Sequence, residues 1–333
     1  MEKTMGKLTV IVPCYNEEES LPGFFREIRK ICDQLKQFQF ELLFVDDGSR
    51  DRTLELLRKE AERDKQVRFL SFSRNFGKEA AIYAGLEHAT GDYVAMMDAD
   101  LQDPPSLLPE MVEALESGQY DCAAARRVDR KGEPPIRSLF ARLFYRLINM
   151  VSPDVNIVDG ARDFRLMSRK MVEAVLSLKE YNRFSKGIFG WVGFRTKWIS
   201  FENVERMAGE TKWSFWKLFL YSLEGIVAFT TAPLSIAAVI GLVCCFVAFF
   251  MILVVIAKTL ILGDPVGGWP SLACIILMLG GLQLLCMGII GRYLAKAYLE
   301  IKHRPIYLIR ETEADGNQET KEEGKLKGKE YGD

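Results

Sequence analysis

Two stretches of this chain carry no charge for longer than a helix needs to cross a bilayer. One runs from Ala232 to Ala257 and the other from Gly267 to Ile290. Each exceeds the ~20 apolar residues that span a hydrocarbon core. A soluble fold can bury one such helix, but two in succession are better satisfied by lipid. They predict two transmembrane helices joined by a Gly- and Pro-containing turn, Lys258–Trp269. Basic residues beside the spans set their orientation. The turn carries only Lys258. Lys212 and Lys217 precede the first span, and Arg292, Lys296, Lys302, His303, Arg304 and Arg310 follow the second. Both termini are therefore expected on the cytoplasmic side of a multi-pass inner-membrane protein. Leu8–Pro13 is too short for the apolar region of a signal peptide, so none is expected.

Ahead of the spans, strands and helices alternate. Leu8–Val12, Glu41–Val45, Val67–Phe72, Tyr93–Met97 and Asp121–Ala125 read as strands. Ser20–Leu35, Asp51–Arg63 with Asp51 as N-cap, Glu79–Glu87 and Pro105–Glu116 read as helices. Alternation of this kind predicts an α/β fold with a mainly parallel sheet and helices on both faces. Ligands of such sheets bind beyond the carboxyl ends of the strands. There the chain places Pro13-Cys14-Tyr15-Asn16-Glu17, then Asp46-Asp47-Gly48-Ser49, then Ser73–Lys78, then Asp98-Ala99-Asp100. Polar loops converging on one crevice predict a nucleotide site.

Asp98 and Asp100 stand one residue apart after an apolar run, with Gln102 at the same spacing. On an extended strand, alternate residues point to the same side. Two hard oxygen ligands leaving a strand tip together suit Mg2+ or Mn2+, shared with substrate phosphates. The chain has no GxGxxG after its first strand and no GxxxxGK[ST]. That argues against dinucleotide oxidoreductases and P-loop enzymes. A held metal would replace the missing Gly-rich cradle. With 44 basic and 45 acidic residues, nothing global points to nucleic acid. Seven scattered cysteines without a CxxC read as reduced thiols.

The ordered segments VIVPCYNEEES, FVDDGSRDRT, SRNFGKEAA, MDADLQDPP and DFRLMSR resemble the family 2 glycosyltransferases with a GT-A fold. The closer resemblance is to the polyprenyl-phosphate glycosyltransferases, over about residues 7–300. It implies inverting, metal-dependent transfer of one sugar from a nucleotide-sugar donor to a polyprenyl phosphate such as undecaprenyl phosphate. The bacterial likeness favours UDP-glucose, with UDP-N-acetylglucosamine and GDP-mannose open, and it allows a homo-oligomer. Position by position, Pro13, Tyr15 and Glu17 match the loop on base and ribose, and Val45 and Asp47 a second nucleotide contact. Asp98, Ala99 and Asp100 match the metal and diphosphate motif, and Gln102 a third ligand. Arg126 or Arg127 matches a basic position facing the phosphates, and Arg206 and Lys212 a basic pair closing over donor and acceptor. Asp163 matches the catalytic carboxylate, with Asp159 a second acid nearby.

The chain has two histidines, His88 on a helix and His303 after the second span, so a general base must be a carboxylate. A phosphate monoester is already largely ionised at neutral pH, with its second pKa at about 6. Asp163 is thus expected to orient acceptor or sugar at least as much as to take a proton. Its alternative role is an ion pair with Arg162 or Arg165. Arg137–Val151 and Trp213–Val227 are amphipathic and would lay the crevice on the membrane surface. The expected organisation is a catalytic domain over 1–212, an interfacial helix over 213–227, the two spans over 228–295, and a basic segment with a disordered tail over 296–333. Competing readings are a processive polysaccharide synthase, which the missing QxxRW disfavours, and a membrane scaffold with a degenerate nucleotide site.

Overall fold

The computed structural model describes residues 6–128, 158, 160–201, 232–262 and 268–315. The chain divides into two compact units, Met1–Ser214 with Pro305–Asp333, and Phe215–Arg304.

In the first unit, β1 (Gly6–Cys14), β2 (Phe38–Asp46), β3 (Val67–Phe72) and β4 (Tyr93–Met96) run parallel in the order β4-β1-β2-β3. Val10, Ile11, Val12, Leu42, Leu43 and Phe44 are all buried. Such unbroken apolar runs belong to strands covered on both faces. The covering helices are α1 (Leu21–Gln34), α2 (Thr53–Arg63), α3 (Lys78–His88) and α4 (Leu108–Glu116), the last after a 3-10 turn at Pro105–Leu107. α3 sits close on β1 because Gly85 has no side chain: a Cβ there would come 2.2 Å from Ile11 Cγ2. Asp51 is not the N-cap of α2. It precedes the capping position and instead accepts a bond from Thr53 N at 3.0 Å.

The parallel order stops at β4. β6 (Ala161–Ser168) lies between β4 and β5 (Cys122–Arg127) and runs antiparallel to both. β7 (Thr196–Phe201) pairs parallel with β5, and α5 (Arg169–Ser177) and α6 (Ser185–Trp191) connect β6 to it. The eight-stranded sheet is therefore mixed at its flanks. An antiparallel neighbour needs no crossover helix, and periodicity does not report strand direction.

The far edge is closed by β8 (Ile309–Thr312), antiparallel to β3. The sequence reading placed this stretch between a basic segment and a disordered tail. Arg58 instead grips Glu311 with two nitrogens, and Arg68 Nε meets Glu313 at 2.6 Å. Tyr307 stacks on Phe72 and donates to Glu87 at 2.6 Å. Residues 316–333 lie outside the described residues, as do the amphipathic segments 137–151 and 213–227.

The second unit holds α7 (Ala232–Leu262) and α8 (Trp269–Ile301), of 31 and 33 residues. Lys258 belongs to α7, so the helix outlasts the charge-free run and the expected turn begins later. Both helices have the length and composition to cross a membrane. Val239, Phe246, Phe250, Leu284 and Met287 are exposed along them.

One buried carboxylate locks the sheet away from its functional edge. Glu41 takes hydrogen bonds from Thr9, Thr90 and Arg68. Burial alone would raise its pKa, but these donors outweigh it and hold the group at about 2. The folded protein resists protonation more than the unfolded chain does. The resulting stabilisation, on the order of 3 kcal/mol, is complete above the ordinary glutamate pKa near 4.5 and is lost as pH falls toward 2. Glu41→Gln is expected to lower stability at pH 7 and to flatten its decline between pH 4.5 and 2, as read by urea titration of the detergent-solubilised protein.

Candidate active site

The strand order reverses at β1, with β2 on one side and β4 on the other. A crevice opens at such a switch point, beyond the carboxyl ends of the strands. The loops around it are stitched together in sequence. Asn16, at φ 55°, donates from its N–H to Ser49 Oγ at 3.0 Å and accepts from Arg50 N at 2.9 Å. Glu17 N donates to Thr53 Oγ1 at 2.8 Å. These bonds pin the first loop to the second. Asp47 is buried and accepts from Phe76 N at 2.6 Å and Gly77 N at 2.9 Å, pinning the second loop to the third. Gly48 makes that closeness possible, at φ +66°: a Cβ would lie 2.5 Å from the Arg74 carbonyl carbon.

Lys78, the first residue of α3, carries the chain of contacts onward. Its Nζ lies 2.7 Å from Asp98 Oδ1 and 2.6 Å from Asp163 Oδ2. The direction of β6 explains why these acids meet. Met96 is paired with Arg165. Continuing that antiparallel register brings Asp163 level with Asp98. Asp163 Oδ1 faces the other way, 3.7 Å from Lys186 Nζ on α6. The neighbouring arginines do not pair with Asp163, contrary to one expectation. Arg162 Nε meets Asp103 at 2.6 Å. Arg165 lies 3.8 Å over the Phe189 ring and donates to the main-chain oxygens of Arg162 and Asp163.

Charge at this edge follows from burial and partners. Burial pushes the Asp163 carboxyl up, but Lys186 and Lys78 override it and hold the group well below the usual range. Burial pulls the Lys78 ammonium down, and Asp98 and Asp163 more than restore it, raising its pKa. Asp103 is raised to about 6, because burial outweighs the pull of Arg162. Its Oδ2 has no hydrogen-bond partner among the described residues. Glu17 is raised by burial and, beyond that, by Asp100 and Asp98.

The stretch expected to hold a metal is built differently from its sequence reading. β4 ends at Met96, and Asp98–Asp103 form a turn in which Leu101 has φ 56°. A strand pleat therefore does not align Asp98, Asp100 and Gln102. Asp100 Oδ1 accepts from Gln102 N at 3.1 Å, and Gln102 Oε1 accepts from Arg162 at 3.3 Å. Among the described residues no cluster of three or more His, Cys, Asp or Glu side chains forms a metal cage. Two carboxylates and an amide oxygen still make a hard donor set, and Asp98 already faces the positive charge of Lys78. A divalent cation held there would complete its shell with substrate oxygens and water.

Other expected residues take definite places. Tyr15 is exposed at the crevice, whereas Val45 and Ala99 are buried and offer it only main chain. Pro13 lies opposite Val45, past the end of the β1–β4 ladder, where its missing N–H costs no bond to β4. Arg126 and Arg127 close β5 beside Ala161 and Gly160. Asp159, Arg206 and Lys212 lie outside the described residues. The sequence reading placed Lys78 at the end of the third loop without giving it a role, and did not single out Lys186 or Asp103. Lys78 had a signal, a lysine ending the NFGK loop at a strand tip. Lys186 had none, since only the fold brings α6 to β6. A groove of about 1160 Å3 between α2 and β8 contains none of Asp98, Asp100 and Asp163.

Residues 9–176 match Glycosyl transferase family 2. The chain belongs to that family. It is 43% identical over 304 residues to the prophage bactoprenol glucosyl transferase homolog of Escherichia coli (strain K12), covering 91% of this chain and 98% of that protein. It is 42% identical over 304 residues to the bactoprenol glucosyl transferase of Shigella phage SfV, with the same coverage. Among solved structures it is similar to glucosyl-3-phosphoglycerate synthase from Mycobacterium tuberculosis, with TM-score 0.47 and 20% identity over 67% of this chain and 78% of that one. The mixed sheet with its acidic edge is the core of a family 2 glycosyltransferase.

In this glycosyltransferase the stitching can be tested at Gly48. Gly48→Ala forces the second loop away from Arg74 and strains a left-handed backbone. A cost of about 1–3 kcal/mol is expected. Melting temperature should fall by several degrees, and sugar-transfer activity by more than the loss of folded protein explains. Thermal melting and an assay at a temperature where the variant is fully folded separate the two effects.

Proposed function

We propose that this glycosyltransferase moves one sugar, from UDP-glucose in the first instance, to a polyprenyl phosphate at the cytoplasmic face of the inner membrane. The observation that carries the acceptor is the likeness to the two bactoprenol glucosyl transferases, which extends over nearly their whole length. Two helices fit to span a bilayer agree with a lipid acceptor. Basic residues near their ends favour cytoplasmic termini. β8 joins the catalytic sheet only a few residues after α8 ends, which agrees with that orientation.

In this reading Tyr15 and Glu17 hold base and ribose, with Asp47 keeping the loops around them in place. Asp98, Asp100 and Gln102 hold Mg2+ or Mn2+, which as a Lewis acid stabilises the leaving diphosphate when bound. Lys78 stands beside Asp98 and is placed to donate to the same phosphates. Arg126, Arg127, Arg206 and Lys212 supply further positive charge for donor and acceptor phosphates. Asp163 faces the reacting carbon as an ionised carboxylate. With Lys78 and Lys186 holding its pKa down, it is a weak base and a strong orienting group. The acceptor phosphate needs little help to become a nucleophile, since its second pKa is about 6.

Radiolabelled UDP-glucose, UDP-N-acetylglucosamine and GDP-mannose, offered with undecaprenyl phosphate to the full-length protein in detergent, test the reading. Label is expected in the lipid fraction from UDP-glucose, lost with EDTA and restored by Mg2+ or Mn2+. Asp100→Ala should lower turnover by at least about 10²-fold. Asp163→Asn should retain more activity than Asp100→Ala, and the reverse order would make Asp163 the base. No lipid-linked label from any donor would overturn the acceptor assignment.

A further inference from the structure

The third loop, Ser73–Gly77, carries Lys78 to the active edge, yet Ser73, Arg74 and Asn75 are exposed and give it little packing of its own. Asp47 holds its last residues through Phe76 N and Gly77 N. Its first residue is held from the far end of the chain, where Ser73 N donates to the Leu308 carbonyl at 2.9 Å. Tyr307, next to Leu308, stacks on Phe72 with ring centroids 5.1 Å apart, and Phe72 meets the Phe76 ring edge-on at 5.8 Å. The Tyr307 hydroxyl reaches the last turn of α3. It donates to Glu87 at 2.6 Å and lies 3.1 Å from His88 Nε2.

We propose that Tyr307 is a positioning residue for Lys78, acting through Phe72 and α3. The inference rests on the reading of Lys78 as a donor to the substrate phosphates, and adds what keeps that ammonium in place. Lys78 starts α3, and its Nζ lies 2.7 Å from Asp98 and 2.6 Å from Asp163. Bonds of that length do not survive a displacement of about 1 Å. The seat of α3 on the sheet therefore decides whether both are made. Gly85 seats the helix on β1 against Ile11. Tyr307 adds a second point, on the last turn of the helix and on the end of the strand that feeds the loop. One ring thus spans both ends of the segment that presents Lys78.

Closing the sheet edge does not require Tyr307. β8 does that, with Ile309, Glu311 and Thr312 opposite Phe72, Ser71 and Leu70. Arg58 and Arg68 hold the strand there through Glu311 and Glu313. Tyr307 and Leu308 precede β8, and their contacts go past the end of β3 to the loop and the helix. Those contacts are polar as well as apolar, so they fix an orientation and not only a distance. Tyr83 on α3 meets the Tyr307 ring edge-on at 6.4 Å. Burial and the Glu87 carboxylate both push the phenol's pKa up, so it remains a donor through the neutral range.

The test is a double-mutant cycle between positions 307 and 78 in the full-length protein in detergent. It is read as kcat/KM for whichever of the three nucleotide sugars the wild type uses, with Mn2+, at a temperature where every variant is folded. Tyr307→Leu is expected to lower kcat/KM for the donor about tenfold. The KM for undecaprenyl phosphate should stay within about twofold. Tyr307→Phe keeps the stacked ring and should recover most of the loss. In a Lys78→Met background, Tyr307→Leu should cost less than about twofold, because its effect runs through Lys78. Glu87→Gln weakens the bond to the phenol and should repeat the cycle with a smaller effect of the same sign, and it replaces Tyr307→Leu if that variant fails to fold. An equal loss in both backgrounds overturns this inference, because a segment that only stabilises the fold acts independently of Lys78. A lower melting temperature with kcat/KM unchanged, or a loss confined to the acceptor KM, overturns it too. A Lys78→Met protein with wild-type turnover overturns it while leaving the acceptor assignment standing. No transfer by the wild type from any donor overturns the proposed function and this inference together.

Discussion

The Lys78 ammonium between Asp98 and Asp163 is the interaction on which the active edge depends. Acidic side chains from separate strands converge there, and like charges in a partly buried space repel. A single cation touching two of them converts the repulsion into a tie between β4 and β6. The tie also explains why β6 can enter the sheet antiparallel with its first residues at the carboxyl edge of β4. Asp163 then arrives opposite Asp98 rather than at the far side of the sheet. Salt bridges at exposed surfaces contribute little, but this ammonium is held by two carboxylates in one geometry, and its partners are tied down in turn.

The same logic runs around the whole crevice. Asp47 spends its carboxylate on two main-chain N–H groups of the third loop, and that loop delivers Lys78. Gly48 is needed because the loops approach too closely for a side chain. Gly160 plays the same part at the other end, where a Cβ would lie 2.3 Å from the Arg127 carbonyl oxygen. The loops around the crevice are therefore held by bonds to one another without a ligand. Such prior ordering lets electrostatic groups act without reorganising during the reaction.

The parallel core was legible because its residues report on it directly. β1 to β3 are rich in Val, Ile, Leu and Phe, and α1 and α2 each show one apolar face, whereas α3 is buried all round. Asp98, Asp100 and Asp163 were singled out as candidates by short motifs, and the structure joins Asp98 and Asp163 through Lys78. The flanks of the sheet were not. TKWISF has the composition of a strand, yet nothing in it says that β7 pairs with β5. Ile309–Thr312 is a strand of only four residues that follows a long helix, and its place beside β3 comes from Arg58 and Arg68 reaching this segment and from Tyr307, just before it, stacking on Phe72. The turn at Leu101 was hidden because DxD looks the same on a strand and in a loop. Partners distant in sequence, such as Lys186 for Asp163, become visible only once the strands are ordered.

The two oxygens of Asp163 bear on its role in the proposed reaction. Oδ2 faces Lys78, which also holds Asp98, and Oδ1 faces Lys186. A general base works best with a pKa near the working pH, because it must both hold and release a proton. Two ammonium groups drive this carboxyl the other way, so protonating it is unfavourable while they remain in place. A dianionic acceptor phosphate would gain nothing from such a base, since it already carries the charge that attacks. It would gain from an ordered pair of cations that balance a carboxylate, because that arrangement keeps the acid in one orientation. Positive charge develops at the sugar carbon as the diphosphate leaves. In the proposed reaction a fixed, ionised Asp163 beside it would stabilise that charge, with a lysine on either side holding the acid in place.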